Sequence, residues 1–235
     1  MLKVELHAHT SDDPLDRIPH SVFDLIDRAA ELRYDALAIT LHDKQFDIRT
    51  AAPYATERGI TLIPGIERTI RRRHVLLLNF PAAAAEAVGS FDDLTTLKAR
   101  EPGGLVVAPH PFFPSSKSLL GQMDTHADLF DAVEAHMLFT RAMNFNAPAG
   151  RWAERHGKPM VGDGDVHCLD QLGTTYSLVD ADRDPASICA AIKAGRVRVV
   201  SEPLSWSAAV RIFAKIVVPS LGAVPKSAQP ARAAV

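Results

Sequence analysis

The sequence predicts a single α/β domain closed into a small barrel, and two features carry that prediction. Short apolar runs alternate with amphipathic segments over most of the chain, as expected for buried strands joined by crossover helices. No Pro/Ser-rich or charged linker interrupts this alternation, so one domain of seven or eight βα units is a more economical solution than two small domains. This rhythm implies a parallel sheet.

The predicted strands are short runs rich in apolar residues, and three helices have clear end signals. The strands are Leu2–Leu6, Ala36–Ile39, Thr61–Ile63, His74–Phe80, Gly104–Ala108, Ala132–Ala135, Met160–Gly162 and Arg196–Val200. The helices are Val22–Arg33 after the cap Ser21, Ile48–Arg58 ending in Gly59, and Pro185–Ala194 between Asp184 and Gly195. Each strand thus has a crossover element beside it.

The C-terminal region divides into a helix and a tail. Trp206–Val218 has an apolar periodicity, which predicts a closing helix that packs on the barrel rather than binding a partner, and completes a domain over residues 1–218. Residues 219–235, PSLGAVPKSAQPARAAV, are rich in alanine and proline without periodicity. Such a composition buries too little apolar surface to offset the entropy of ordering, so we expect a flexible tail.

Composition and charge exclude several classes of function. The formal net charge of -2 and pI near 6.5 leave no broad basic surface for stable binding to long nucleic acid, although a nucleotide or short oligonucleotide remains possible. Cys168 and Cys189, without CxxC spacing, suggest neither a disulfide framework nor a thiolate zinc site. Neither a signal peptide nor a membrane span is recognised, so a cytoplasmic location is expected.

Histidines and carboxylates stand at equivalent places after several predicted strands. His7 and His9 end the first strand on one face, because side chains two apart point the same way. Further groups follow four other strands: His42, Glu67, His110, and Asp165 with His167. Because the carboxyl ends of parallel barrel strands open onto one face, these groups are expected to converge into a metal centre. His74 begins its strand and would need an antiparallel or irregular element to reach them.

Five ordered motifs resemble those of the polymerase and histidinol phosphatase (PHP) superfamily of metal-dependent phosphoesterases. They are ELHAHT at 5–10, AITLHD at 38–43, PGIE at 64–67, APHP at 108–111 and GDGDVH at 162–167. The resemblance implies a distorted (β/α)7 TIM-like barrel with two or three divalent metal ions, zinc, manganese or iron, bridged by the substrate phosphate. An irregular barrel also accommodates a strand that begins at His74.

The resemblance also implies a set of metal ligands. The first metal would be held by His7, His9, Glu67 and Asp165; the second by Glu67, His74 and His110; the third by His42, His167 and an acidic residue among Asp12, Asp13 and Asp16. We expect Asp13 to be that residue, although the loop SDDPLD departs from the usual Ser-Asp-Gly turn, and Leu41 replaces a frequent aspartate. The catalytic residues would be Glu67, Asp165 and His42.

Basic residues near the motifs are candidates for binding substrate phosphate. Arg68, Arg71, Arg72 and Arg73 directly follow Glu67, and Arg141 begins an expected helix beyond the strand ending in His136. Guanidinium groups match phosphate geometry, which makes Arg68, Arg71 and Arg141 candidates, while a solvated loop is the alternative interpretation. The remaining histidines match no ligand motif and are expected to be structural or surface groups: His20, His126, His136 and His156.

The predicted function is hydrolysis of phosphate esters by a metal-activated water, with nucleotide bisphosphates or short oligonucleotides as possible substrates. Two alternatives stay open: a phosphatase of the histidinol-phosphate type, and a metal-binding accessory module without turnover. The complete ligand set speaks against the accessory module, and the lack of a Walker loop speaks against an NTPase. The sequence leaves the native metal, the general acid and the oligomeric state open.

Overall fold

The computed structural model describes residues 1–221, with side chains through residue 216. The strands are β1 Leu2–Glu5, β2 Ala36–Ile39, β3 Thr61–Ile70, β4 Arg73–Leu78, β5 Leu105–Ala108, β6 Ala132–His136, β7 Met160–Asp163, β8 Thr175–Val179 and β9 Val197–Ser201. The helices are α1 Val22–Glu31, α2 Ala52–Glu57, α3 Ala82–Glu86, α4 Phe91–Arg100, α5 Gln122–Thr125, α6 Asn146–Arg155, α7 Pro185–Lys193 and α8 Trp206–Leu221. They form one α/β domain.

The strands make one sheet that curls into a nearly closed barrel, as the sequence predicts. β1 to β7 lie side by side in chain order, with β8 and then β9 added on the other side of β1. Beyond β1 and β7 the chain pairs in parallel at Ala8 and Val166. Two backbone hydrogen bonds of 3.0 Å fasten this join, from His9 N to Val166 O and from Val166 N to His7 O. The join therefore brings the ends of the first and seventh strands together.

The sheet is mixed rather than purely parallel. β4 runs antiparallel to both β3 and β5, which is the arrangement that the position of His74 requires. Arg71 and Arg72 form the two-residue turn between β3 and β4, with φ of 48° and 69°. This left-handed pair is the backbone geometry that a tight hairpin demands.

The third strand is longer than expected, and β8 was not predicted. β3 continues to Ile70 because its first half pairs with β2 and its second half pairs with β4. Pro64 and Gly65, ordinarily turn residues, hid this continuation. Glu67 consequently lies within a strand rather than after one. β8 has only moderate apolar content, TYSLV, and pairs antiparallel with β1 and β9.

α7 covers the amino end of the barrel. It follows β8, which runs antiparallel to β1 and therefore ends near the start of β1. Ile188, Ala191 and Ile192 of this helix join one apolar cluster with residues of several strands. Asp184 caps the helix by accepting a hydrogen bond from Ser187 N. The opposite end, at the carboxyl ends of the parallel strands, is left for polar side chains.

α8 extends three residues beyond the predicted boundary at residue 218. Ile212 is buried against the domain and Lys215 pairs with Asp170, whereas Trp206 and Phe213 are more than half exposed. The division into a domain over residues 1–218 and a flexible tail over 219–235 stays a prediction, because residues 222–235 lie outside the described part. Within residues 1–221, no helix combines the length and apolarity needed to cross a membrane.

Gly162 of β7 marks a close approach where the barrel closes. A Cβ there would lie 2.8 Å from the Tyr176 carbonyl oxygen and 2.9 Å from a Val199 methyl. We expect Gly162→Ala to destabilise the fold by roughly 1–3 kcal/mol, the usual cost of overpacking. Gly150→Ala is the matched control, because its Cβ would meet nothing within 4 Å in α6, and it should stabilise by roughly 0.5–1 kcal/mol. Urea denaturation of both variants checks the difference, and equal stabilities would contradict the close approach.

Candidate metal centre

All nine predicted ligands lie together at the carboxyl end of the barrel, with Asp13 in contact with the rings of His9 and His42. Six are almost fully buried: His7, His9, His42, Glu67, His74 and His110. Asp165 and His167 sit beside them and are slightly more exposed. Loops after β1, β2, β5 and β7 supply most of this cluster, while β3 and β4 supply Glu67 and His74 from within the hairpin.

The first predicted metal site is formed by four side chains whose inner atoms face one point. His7 Nε2 lies 3.4 Å from Glu67 Oε1 and 3.3 Å from Asp165 Oδ1. His9 Nε2 lies 3.5 Å from Glu67 Oε2 and 3.4 Å from Asp165 Oδ1. Both Nε2 atoms and Asp165 Oδ1 are buried without a hydrogen-bond partner among the described residues. Such orphaned atoms are costly unless a cation binds them, so this donor set fits a divalent metal.

Glu67 is the centre of the cluster. Its Oε1 lies 2.7 Å from His74 Nδ1 and 3.1 Å from His110 Nε2, the pair predicted to share it at the second metal. Its Oε2 lies 3.0 Å from His42 Nε2. With His7 and His9 on the other side, five imidazoles surround one carboxylate. This position suits a carboxylate that bridges two ions.

The third predicted site contains the expected histidines, but Asp13, the expected acidic ligand, contacts His9 and His42 rather than His167. His9, His42 and His167 each offer an atom within 4.8 Å of the others. Asp13 Oδ2 lies 2.9 Å from His9 Nδ1 and 3.0 Å from His42 Nδ1, so this carboxylate orients two rings through the nitrogen that does not face Glu67. Asp16 Oδ2 lies 3.2 Å from His167 Nε2 and is the acid nearest that ring. The contacts therefore favour Asp16 over Asp13 as the acidic ligand.

Two residues of β6 belong to the cluster although no motif marks them. Glu134 Oε1 lies 2.9 Å from His7 Nδ1, and its other oxygen accepts a hydrogen bond from the His110 backbone N–H. His136, expected to be structural or on the surface, places Nε2 3.2 Å from Asp165 Oδ2. Their spacing of two in AVEAH puts both on one face of the strand, which is the signal that could have found them.

The other unassigned histidines have structural contacts. His20 lies with Nε2 2.9 Å from the His9 carbonyl oxygen and so supports the backbone of a predicted ligand. His126 stacks on Phe91, and His156 stacks on Trp152. These contacts agree with the structural role expected for the three side chains.

The candidate phosphate-binding arginines are not gathered at the cluster. Arg68 pairs with Asp43 at 2.7 Å and donates to the Val88 carbonyl, which engages its guanidinium in the fold. Because alternate strand residues point to opposite faces, Arg68 also points away from the side of Glu67. Arg71 lies in the hairpin turn, and Arg141 is exposed in the loop after β6. Arg71 and Arg141 both follow the carboxyl end of a strand, β3 and β6 respectively.

Protonation of the metal-free cluster is governed by its carboxylates. Burial disfavours charge on Glu67, but the surrounding histidines outweigh it and hold the pKa of that carboxyl well below its usual range. Burial also disfavours charge on His42, yet its hydrogen bonds to Asp13 and Glu67 outweigh it and raise its pKa to about 10. Without metal, His42 is therefore protonated and forms ion pairs with Asp13 and Glu67.

This protonation predicts a pH-dependent gap in thermal stability between the metal-loaded and chelator-treated protein. The raised pKa of His42 contributes stability that is fully present below its unfolded value and is lost as pH rises toward 10. Metal needs neutral imidazole, so its binding strengthens over the same range. The difference in Tm between the metal-loaded and the chelator-treated protein should increase by at least about 2–4 °C from pH 6.5 to pH 9. In a domain of this size, a change of about 1 kcal/mol in stability shifts Tm by that amount. A gap that narrows with rising pH, measured by scanning calorimetry, would contradict this assignment.

The chain is an α/β barrel with a buried cluster of histidines and carboxylates at the ends of its strands. Barrel enzymes place their active sites at this end, and histidine with carboxylate is a common set of metal ligands. A family model described as PHP-associated matches residues 144–197. The match spans less than a quarter of the chain, from just before α6 to the start of β9, and agrees with the expected PHP resemblance over that segment. Among curated proteins, no sequence matches the chain.

Solved structures with the same fold cover nearly the whole chain. A two-domain protein from Bacteroides vulgatus containing a predicted PHP-like metal-dependent phosphoesterase has a TM-score of 0.62 at 17% identity, over 92% of this chain and 69% of that one. PsfC from Pseudomonas syringae has a TM-score of 0.63 at 16% identity, over 94% of this chain and 98% of that one. The lesion-specific endonuclease PfuEndoQ from Pyrococcus furiosus has a TM-score of 0.56 at 14% identity, over 98% and 73%. At these identities the likeness concerns the fold.

Proposed function

We propose that this protein is a metal-dependent hydrolase of phosphate esters. The observation that carries the proposal is the convergence of buried, unpartnered ligand atoms on one point beside Glu67, namely Nε2 of His7 and His9 and Oδ1 of Asp165. A cluster built only for stability would not leave three such atoms without partners, because each unsatisfied buried polar atom costs free energy. Similar folds that include PHP-like phosphoesterases and an endonuclease support the proposal.

The residues of the cluster would hold two or three divalent ions. His7, His9, Glu67 and Asp165 would bind one, Glu67 with His74 and His110 a second, and His42 with His167 and Asp16 a third. When bound, such ions neutralise the phosphoryl oxygens and acidify the attacking water. Zinc, manganese and iron all suit this mixture of imidazole and carboxylate ligands.

The chain's own contribution is to orient rings and to place protons. Glu134 and Asp13 hold Nδ1 of His7 and His9, which directs both Nε2 atoms inward. His136 and Asp165 face each other at 3.2 Å, so a proton can be held or passed between Nε2 and Oδ2 at the edge of the site. Cys168 is no competing nucleophile, because burial raises the pKa of its thiol and keeps it protonated.

For the substrate we propose a nucleotide bisphosphate or a short oligonucleotide. With a net charge of -2, the protein does not attract long nucleic acid electrostatically. A ligand with only a few phosphates needs no more than a local positive charge. Arg141, exposed beyond β6, and Arg71, in the β3–β4 turn, are candidates for a second phosphate. A structural neighbour, endonuclease Q, is solved with a 27-mer duplex carrying an abasic lesion, which agrees with a nucleotide ester at a site of this kind.

A phosphate-release panel tests this proposal. We would supply adenosine 3′,5′-bisphosphate, a short oligonucleotide and histidinol phosphate to the protein loaded with manganese or zinc, and measure orthophosphate and shortened products. Turnover of the nucleotide substrates is expected. Turnover of histidinol phosphate alone would favour the second phosphatase, and metal binding without turnover of any substrate would favour the accessory module.

A further inference from the structure

Two phenylalanine side chains lie beside the proposed metal centre and are not part of the hydrophobic core. Phe113 follows β5, and Phe145 directly precedes α6; both are partly exposed. Neither belongs to any of the three apolar clusters of the described residues, whereas the neighbouring Phe112 packs against one of them. Packing of the hydrophobic core therefore does not account for these two rings.

The chain segments that carry both rings are hydrogen-bonded to residues of the candidate metal centre. The backbone N–H of Phe113 donates to the carbonyl oxygen of His110 at 3.0 Å. Asn146, the residue after Phe145, accepts from the His136 N–H at 2.9 Å and donates to the His136 carbonyl at 2.8 Å. The loops that carry the rings are thus hydrogen-bonded to the backbone of two residues of the cluster, His110 and His136.

The two rings form a continuous aromatic border next to Asp165. The centroid of Phe113 lies 5.4 Å from that of Phe145 in an edge-to-face arrangement, and 5.3 Å from that of His136. His136 in turn contacts Asp165 at 3.2 Å. Met143, 47% exposed, adds apolar surface on the same loop as Phe145.

Aromatic faces that are fixed, partly exposed and adjacent to a phosphate-binding centre suit one kind of ligand. A planar base stacks on such faces, and its attached phosphate then reaches the charged groups beside them. A sugar phosphate without a base would gain nothing from them. We propose that Phe113 and Phe145 form a stacking platform that selects phosphate esters carrying a nucleobase. This inference rests on the proposed function and specifies its substrate class.

The test compares one phosphate ester with and without a base. For the manganese-loaded protein we would measure KM and kcat with AMP and with ribose 5-phosphate. Phe113→Ala and Phe145→Ala should each raise KM for AMP roughly tenfold, within the range of alanine substitutions at stacking residues. We expect kcat for AMP and both parameters for ribose 5-phosphate to stay unchanged, because only binding of the base is lost.

Saturation-transfer NMR provides a readout that does not depend on turnover. Adenosine carries no phosphate ester and is not hydrolysed, so its base protons report contact with the platform directly. Wild-type protein should transfer saturation to these protons, and the alanine variants should not. Phe113→Leu and Phe145→Leu keep apolar volume without a ring, and they should behave like the alanine variants while keeping the wild-type melting temperature. Phe23→Ala, in α1 against Tyr54, is the control and should match wild type.

Two results would overturn the platform. One is an equal rise in KM for AMP and ribose 5-phosphate, which would make the rings supports of the site. The other is a wild-type protein that shows neither a preference for AMP nor a signal from adenosine. In that second case, phosphate release from both esters would still leave the phosphoesterase standing. Failure to hydrolyse either ester would count against the phosphoesterase itself, and the adenosine signal would then decide the platform alone.

Discussion

Replacing Glu67 by glutamine is expected to remove bound metal and turnover together. Its two oxygens lie 2.7–3.5 Å from nitrogens of five imidazoles: His7, His9, His42, His74 and His110. Glutamine keeps the shape but removes the charge and places an N–H₂ group where ligand atoms converge. Turnover should fall by more than roughly 100-fold, because loss of a mere partner of a ligand already costs about 10–100-fold. Elemental analysis and phosphate release measure the two effects.

Glu154→Gln is the matched control for this variant. Glu154 is exposed on α6, so the same chemical change there should leave metal content and rate at wild-type values. Circular dichroism of both variants establishes that they are folded. Wild-type metal content and rate in folded Glu67→Gln protein would remove Glu67 from the centre.

Asp165→Asn is expected to lower metal affinity and turnover about as much as Glu67→Gln does. Asp165 lies 3.2–3.4 Å from nitrogens of four imidazoles: His7, His9, His136 and His167. Its φ of 45° is a left-handed conformation that asparagine also tolerates, so the backbone should be preserved. Loss of the charge would leave the proposed first metal site with one carboxylate, Glu67, instead of two. Metal affinity and turnover should both fall by at least about 100-fold, because loss of a mere partner of a ligand already costs about 10–100-fold.

Asp92→Asn provides the corresponding control, because Asp92 is exposed near the start of α4. A metal titration followed by phosphate release at saturating metal separates the two effects in Asp165→Asn protein. Lowered affinity with full turnover at saturation would restrict Asp165 to binding. Unchanged affinity and unchanged turnover would exclude it from the site.

The convergence of the ligands could be predicted because most of them occupy the same position, directly after a strand of the barrel. His42, His110 and Asp165 each follow a parallel strand, and the carboxyl ends of such strands meet on one face of a barrel. His74 could be placed only conditionally, since it required an antiparallel strand. The structure supplies that strand as β4.

What the sequence did not reveal depends on local contacts rather than on the fold. The loop after His9 contains three aspartates, and its turn decides that Asp13 faces His9 and His42 while Asp16 faces His167. Nothing in the order of those residues specifies that turn. Glu134 was missed because it lies inside β6 and outside every motif, and its spacing of two from His136 was its only mark in the sequence.

Metal content measured together with turnover tests most directly whether this cluster is a working metal centre. Chelator-free protein would be analysed for metal per chain, and phosphate release from p-nitrophenyl phosphate and from nucleotide bisphosphates would be measured with added manganese or zinc. We expect two or three ions per chain and phosphate release that a chelator abolishes. Protein that binds no metal and releases no phosphate under any of these conditions would contradict this role of the cluster.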